Sequence, residues 1–177
     1  MSKVAQFFLV AILIFIGARQ AAAQRHCNRH VESQGGFSIC IPDGWTGRER
    51  ENQKYKVLFG QPSDSFTPNI NFKEEMTAVA LSEYVAAGIK NMIATKEKLG
   101  ADSLEPLSRS DFTTEAGLRG IRCVFLVSYK SFWIRSIQYY FHVKKDRKLI
   151  ITGTSLEKNK EVFDRLFDRA AKSFRMD

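Results

Sequence analysis

His26, Cys27, His30 and Cys40, near the start of the chain, are residue types that hold metal or form cross-links. A cysteine between two histidines resembles half of a zinc site. Zinc takes four nitrogen or sulfur ligands, and Cys40 is the nearest further donor. In an oxidising compartment the same cysteines pair instead, and a Cys27–Cys40 bridge closes a small loop worth about 2 to 3 kcal/mol on the chain-entropy account. Cys123 lies in an apolar stretch. It reads as a buried thiol, or as the partner of Cys40 if their two strands are neighbours. The disulfide Cys27–Cys40 is the expectation here, and no metal or cofactor is expected.

Catalytic chemistry has no comparable cluster. The chain has three histidines, and His142 alone falls within the regular core, beside polar residues near a strand end, where it reads as satisfied or exposed rather than as a base. Glu74 and Glu75 are adjacent in a strand, so they point to opposite faces and cannot share a proton. No G-x-S-x-G, no glycine-rich loop before a helix and no H-E-x-x-H occurs. The expectation is a protein that is not an enzyme.

Residues suited to binding are easier to find. Phe132 and Trp133 stand together beside a tight turn at Ser131. Each would bury on the order of 150 to 250 Å² when packed, and neighbouring strand residues face opposite ways. Either each packs under a different element, or one is exposed as an anchor for a partner. Phe66 is the only large apolar residue of the loop 61–68; it either folds back onto the sheet or makes such a contact. Lys144, Lys145, Arg147 and Lys148 gather at a hairpin tip as the one concentrated basic patch. Such a patch suits a solvated tip or a weak contact with an anionic membrane surface.

The elements that must position these residues follow from periodicity. Gly120 to Lys130, Phe132 to Val143 and Lys148 to Thr152 read as an antiparallel meander. Its first strand is apolar on both faces at mid-length, so helices must cover both. Earlier strands are expected at Phe37 to Ile41, about Tyr55 to Gly60 and about Asn69 to Glu75, with another at about Leu104 to Thr113. A helix is expected from an N-cap at Ser82 to Gly100, and a last helix carries the stripe Val162, Phe163, Leu166, Phe167, Ala170 and Phe174. Thr154 with Glu157 reads as a capping box for it, and Glu161 with Arg165 and Asp168 with Lys172 as i,i+4 pairs. The fold class is therefore α+β, with a central antiparallel sheet of about six strands flanked by helices.

The first 23 residues read as a secretory signal peptide. Lys3 precedes the apolar run Phe7 to Ile16, which is shorter than the roughly 20 residues of a membrane span, and Ala21-Ala22-Ala23 offers an A-x-A cleavage site. An uncleaved anchor is the other reading of this segment. Its removal takes Lys3 and Arg19 and no acid, lowering the formal net charge from +8 to +6. Export to the periplasm or beyond also argues against a nucleic-acid partner. Residues 24–35 form an N-terminal arm, and 36–177 make one domain of ordinary size.

Gly36-Phe37-Ser38-Ile39-Cys40-Ile41-Pro42-Asp43-Gly44-Trp45 resembles the opening signature of the PsbP, DcrB and Mog-type fold family. Ile151-Thr152-Gly153-Thr154-Ser155 resembles its last-strand-to-helix junction, and Lys172-Ser173-Phe174-Arg175 its helix ending. The resemblance spans about Gly36 to Arg175. It implies a central antiparallel sheet with flanking helices, no shared catalytic residues, and action through protein binding. It includes photosystem subunits that help retain ions, and cytosolic chaperones from which the signal peptide here departs. The function expected is that of a non-enzymatic, exported bacterial-envelope protein that binds another envelope protein, as a monomer or weak oligomer. The alternative is a small-ligand or ion-binding module using a pocket between sheet and helix.

Overall fold

The computed structural model describes residues 27–130 and 132–177. The signal peptide, its cleavage after Ala23, His26 and the Ser131 turn lie outside the described residues. Among the described residues, ten strands and two helices follow in the order β1 (Asn28–Glu32), β2 (Phe37–Ile41), β3 (Thr46–Arg48), β4 (Val57–Phe59), β5 (Asn69–Met76), α1 (Leu81–Ala94), β6 (Ser103–Thr113), β7 (Arg119–Tyr129), β8 (Phe132–Lys144), β9 (Arg147–Leu156), α2 (Lys160–Lys172) and β10 (Arg175–Met176). Short 3-10 turns follow α1, at Lys96–Leu99, and precede α2, at Glu157–Asn159.

The main sheet is antiparallel and has seven strands in the order β3-β4-β5-β9-β8-β7-β6. The expected meander is its centre. The expected first strand, β2, is not part of it: β2 sits between β1 and β10 in a separate three-stranded sheet. That small sheet and α2 cover one face of the main sheet, where residues of alternate parity meet: Ile70 and Phe72 of β5, Ile137, Tyr139 and Phe141 of β8, and Leu149 and Ile151 of β9. Phe37 lies 5.0 Å from Phe72 and 5.6 Å from Phe174 between ring centroids, so β2 and the chain end share one aromatic core. Phe167 lies flat over Gly153 of β9, where a Cβ would stand 2.4 Å from its ring. Only glycine permits helix and strand to approach so closely.

Three local expectations are corrected by tertiary contacts. Helix α1 begins at Leu81 without a side-chain cap, and Ser82 Oγ instead accepts from Arg109 at 2.7 Å. The capping box does not form, because β9 runs on through Thr154 to Leu156 and Glu157 accepts from Arg135 at 3.3 Å. The acids of α2 turn to the sheet: Asp168 takes Arg122 at 2.7 Å and Asp164 takes Arg135 at 2.8 Å, displacing the expected pairing of Asp168 with Lys172. A guanidinium held on the sheet is a fixed fork for a carboxylate, whereas an exposed i,i+4 pair must order two free side chains. Burial, with the Asp168 carboxylate beside it, pushes the Tyr139 hydroxyl far above its ordinary range.

The other face carries α1, which packs on β6, β7 and β8 around Val85, Ile121, Cys123, Phe125 and Val127. Val85 is the only fully buried residue of this helix.

Candidate interaction site

The Cys27–Cys40 disulfide is formed, with Cα atoms 5.4 Å apart, and Cys123 is a free, buried thiol on the α1 face. The bridge fastens the start of β1 to the end of β2. Arg29 reinforces it, donating to Cys40 Sγ at 3.3 Å and to Ser38 Oγ at 3.2 Å. Among the described residues no group of three or more His, Cys, Asp or Glu is placed to hold a metal ion. His30 instead stacks at 6.5 Å on Phe72, and burial holds its pKa below the ordinary value against the pull of Glu32. His142 lies near the end of β8, its Nε2 paired with the Lys145 carbonyl at 2.8 Å. Glu74 and Glu75 do face opposite ways. Glu74 meets Arg147 and the Tyr55 hydroxyl on one side, and Glu75 meets Lys73 on the other.

The basic patch is smaller than its sequence. Strand β9 begins at Arg147, which turns Lys148 inward until it is 0% exposed, donating to the Thr77 carbonyl at 2.7 Å beneath the Tyr84 ring. Arg147 donates to the Gly35 carbonyl at 2.7 Å and pairs with Glu74 at 3.1 Å. Burial works against the charge on Glu74, and its donors Tyr55, Lys54 and Arg147 overcome it, holding the carboxyl below the usual range. Only Lys144 and Lys145 of the four remain on the open surface.

Phe66, Phe132 and Trp133, far apart in sequence, come together. They line one cleft of about 510 Å³ with Leu156 and Glu157. Three elements make it. Strand β8 starts here, placing Phe132 and Trp133 on opposite faces, paired with Tyr129 and Ser128 of β7. Strand β9 ends here, contributing buried Leu156 as a floor. The loop 61–68 supplies the third wall through a tight turn in which Ser63 and Phe66 exchange backbone hydrogen bonds of 2.9 Å. Asp64 and Ser65 both take left-handed φ, 53° and 63°, as a two-residue reversal of this kind demands. The Asp64–Lys158 ion pair, 2.9 Å, closes the rim between this loop and the turn before α2. Both groups are well exposed, so the pair orients the loop more than it stabilises it.

Phe132 is 44% exposed and Trp133 50% exposed. Phe132 stacks on Tyr129 at 6.0 Å between centroids. The chain has two tryptophans, and the contrast with Trp45 is sharp. Trp45 is 8% exposed, seated edge-on to Phe167 at 6.2 Å and against Gly60, where a Cβ would stand 2.7 Å from its ring. Sequence reasoning found each cleft aromatic singly, but not their convergence, nor Leu156, because the contact is between segments about seventy residues apart.

The seven-stranded antiparallel sheet with its two helices and small second sheet is PsbP-like in fold. The cyanobacterial PsbP (CyanoP) of Synechocystis superposes with a TM-score of 0.61 at 12% identity, over 85% of this chain and 92% of that one. LpqN of Mycobacterium tuberculosis, a protein involved in cell envelope biogenesis, gives 0.60 at 11% identity over 85% and 91%. PA94 of Pseudomonas aeruginosa, a protein of unknown function, gives 0.56 at 12% identity over 84% and 95%. No protein-family model and no curated protein matches the sequence. At such identities the likeness is one of fold.

Proposed function

We propose that this chain is a non-enzymatic, exported envelope protein that binds another envelope protein through the cleft of Phe66, Phe132 and Trp133. The observation that carries the reading is the convergence of three aromatics, two of them about half exposed, on one cleft floored by Leu156. Leaving that much aromatic surface in water is costly, and aromatic side chains in such settings are the residues on which interfaces concentrate their energy. The partner supplies an apolar side chain to the cleft, with the Asp64–Lys158 pair as a polar rim. Export is supported by the apolar leader with its A-x-A site and by the formed disulfide, a cross-link of oxidising compartments. Among the described residues no helix is long and apolar enough to cross a membrane. An accessory role in the envelope is also in keeping with the fold shared with LpqN.

The test is cross-linking and capture from the protein's own cells, with Trp133→Ala beside the native chain. A stoichiometric envelope protein captured by the native chain and lost with Trp133→Ala supports the reading. Undiminished capture by a Trp133→Ala, Phe132→Ala double variant that remains folded ends it.

A further inference from the structure

The face of the main sheet beneath α1 carries a feature that a simple covering helix does not require. Asn71, Thr152 and Gln138 stand side by side on β5, β9 and β8, and one pleat further along Asn69, Thr154 and Ser136 do the same. All six are half-buried and uncharged, on a face that elsewhere presents Ile121, Phe125 and Ile150. Because α1 packs on β6, β7 and β8, a cavity of about 550 Å³ remains between it and the first of these rows. That is a volume suited to a small molecule.

The helix wall of the cavity is equally particular. Tyr84, Ala87, Gly88 and Asn91 face it at helical spacing. Gly88 lies mid-helix, where glycine costs about 1 kcal/mol relative to alanine. A Cβ at Gly88 would meet nothing within 4 Å, so no close packing demands it, and its small size keeps the cavity wide.

We propose that this groove binds a neutral saccharide, as a free sugar or as the end of a glycan. Amides and hydroxyls both give and accept hydrogen bonds, which matches a ligand carrying hydroxyls around its edge. Cross-strand neighbours stand about 5 Å apart, close to the breadth of a sugar ring. The Tyr84 ring offers an apolar wall for the ring's C–H face. The charges at the margin are already engaged: Lys73 with Glu75 at 2.6 Å, and Lys148 with the Thr77 carbonyl. Among the described residues that line the groove, Lys73 and Glu75 are the charged ones and they neutralise each other, which favours neither a phosphate nor a metal ion. The Gln138 side-chain carbonyl already accepts from the Tyr140 hydroxyl and its amide meets Met92 Sδ at 3.9 Å, so an apolar ligand would strand chiefly the Asn71 amide. An added peptide strand is excluded as well, because β5, β9 and β8 are interior strands with their edges paired.

The experiment is an NMR titration of the full protein with glucose, N-acetylglucosamine and maltose, and with glucuronate and inorganic phosphate as charged probes. A saturable shift of the Asn71, Gln138 and Thr152 amides with a neutral sugar, stronger than with either charged probe, is the expected result. Asn71→Ala should weaken it about tenfold, the loss of one good hydrogen bond. Gly88→Leu should abolish it while leaving the melting temperature unchanged or higher, which separates a blocked groove from a damaged fold. Trp133→Ala should leave it intact, so failure of the aromatic cleft and failure of this groove are read independently. No saturable shift with any of the three sugars, preference for a charged probe, or full binding by Gly88→Leu would overturn the assignment.

Discussion

The two faces of the main sheet use glycine in opposite ways. On the α2 face Gly153 is bare so that Phe167 can press against the strand, and Gly60 is bare so that Trp45 can do the same. On the α1 face Gly88 is bare with nothing pressed against it. The first face is a close-packed aromatic core tied down by Arg122, Arg135 and the disulfide-held small sheet. The second is a helix resting on one fully buried residue beside a polar groove. One face is filled by aromatic rings, whereas the other, and the start of β8, each border an open cleft.

Substitutions on the packed face should produce the largest effects. Phe167→Ala and Trp45→Ala should each cost about 3 to 5 kcal/mol in urea unfolding, since each empties a buried aromatic site. Replacing both Cys27 and Cys40 by serine should cost about 3 kcal/mol for a loop of this length, and reduction of the native protein should reproduce the loss. A smaller cost from Trp45→Ala than from Trp133→Ala would reverse the assignment of core and contact tryptophan.

Trp133→Ala should cost only about 1 to 2 kcal/mol, because half of the ring is already in water. Gly88→Ala should go the other way and stabilise the chain by up to about 1 kcal/mol. A destabilising Gly88→Ala would mean that α1 sits closer to the sheet than the cavity allows.

The smallest effect is one of pH. Burial holds the His30 pKa below its ordinary value, so below about pH 6.5 the unfolded chain takes up a proton that the folded chain resists. Stability contributed by neutral His30 is therefore complete above that pH and declines as the pH falls through and below it. Glu32 opposes the shift and Lys56 adds to it. His30→Gln should flatten the decline, as followed by thermal unfolding between about pH 7 and 5.

The meander and both helices were legible because their apolar residues recur with period two or near 3.6 over ten or more positions. The Cys27–Cys40 pairing was legible from the leader-like pattern of the first 23 residues and from proximity, and the resemblance in the 36–45 segment was sound as to fold. Strands β1, β3 and β10 escaped because they are two to five residues long and exist only through pairing with β2 and β4.

Periodicity along the chain determined which residues of β7, β8 and β9 share a face, since the pleat makes that a local property. It did not determine which face would be crowded. That was decided when α2 and the small sheet settled over Gly153 while α1 packed on β6, β7 and β8, leaving a groove over Asn71, Thr152 and Gln138. Charge was misleading for the same reason. Lys148 belongs by type to the surface, but its exposure depends on where β9 starts and on the Tyr84 ring above it, and both are set by contacts with segments distant in sequence.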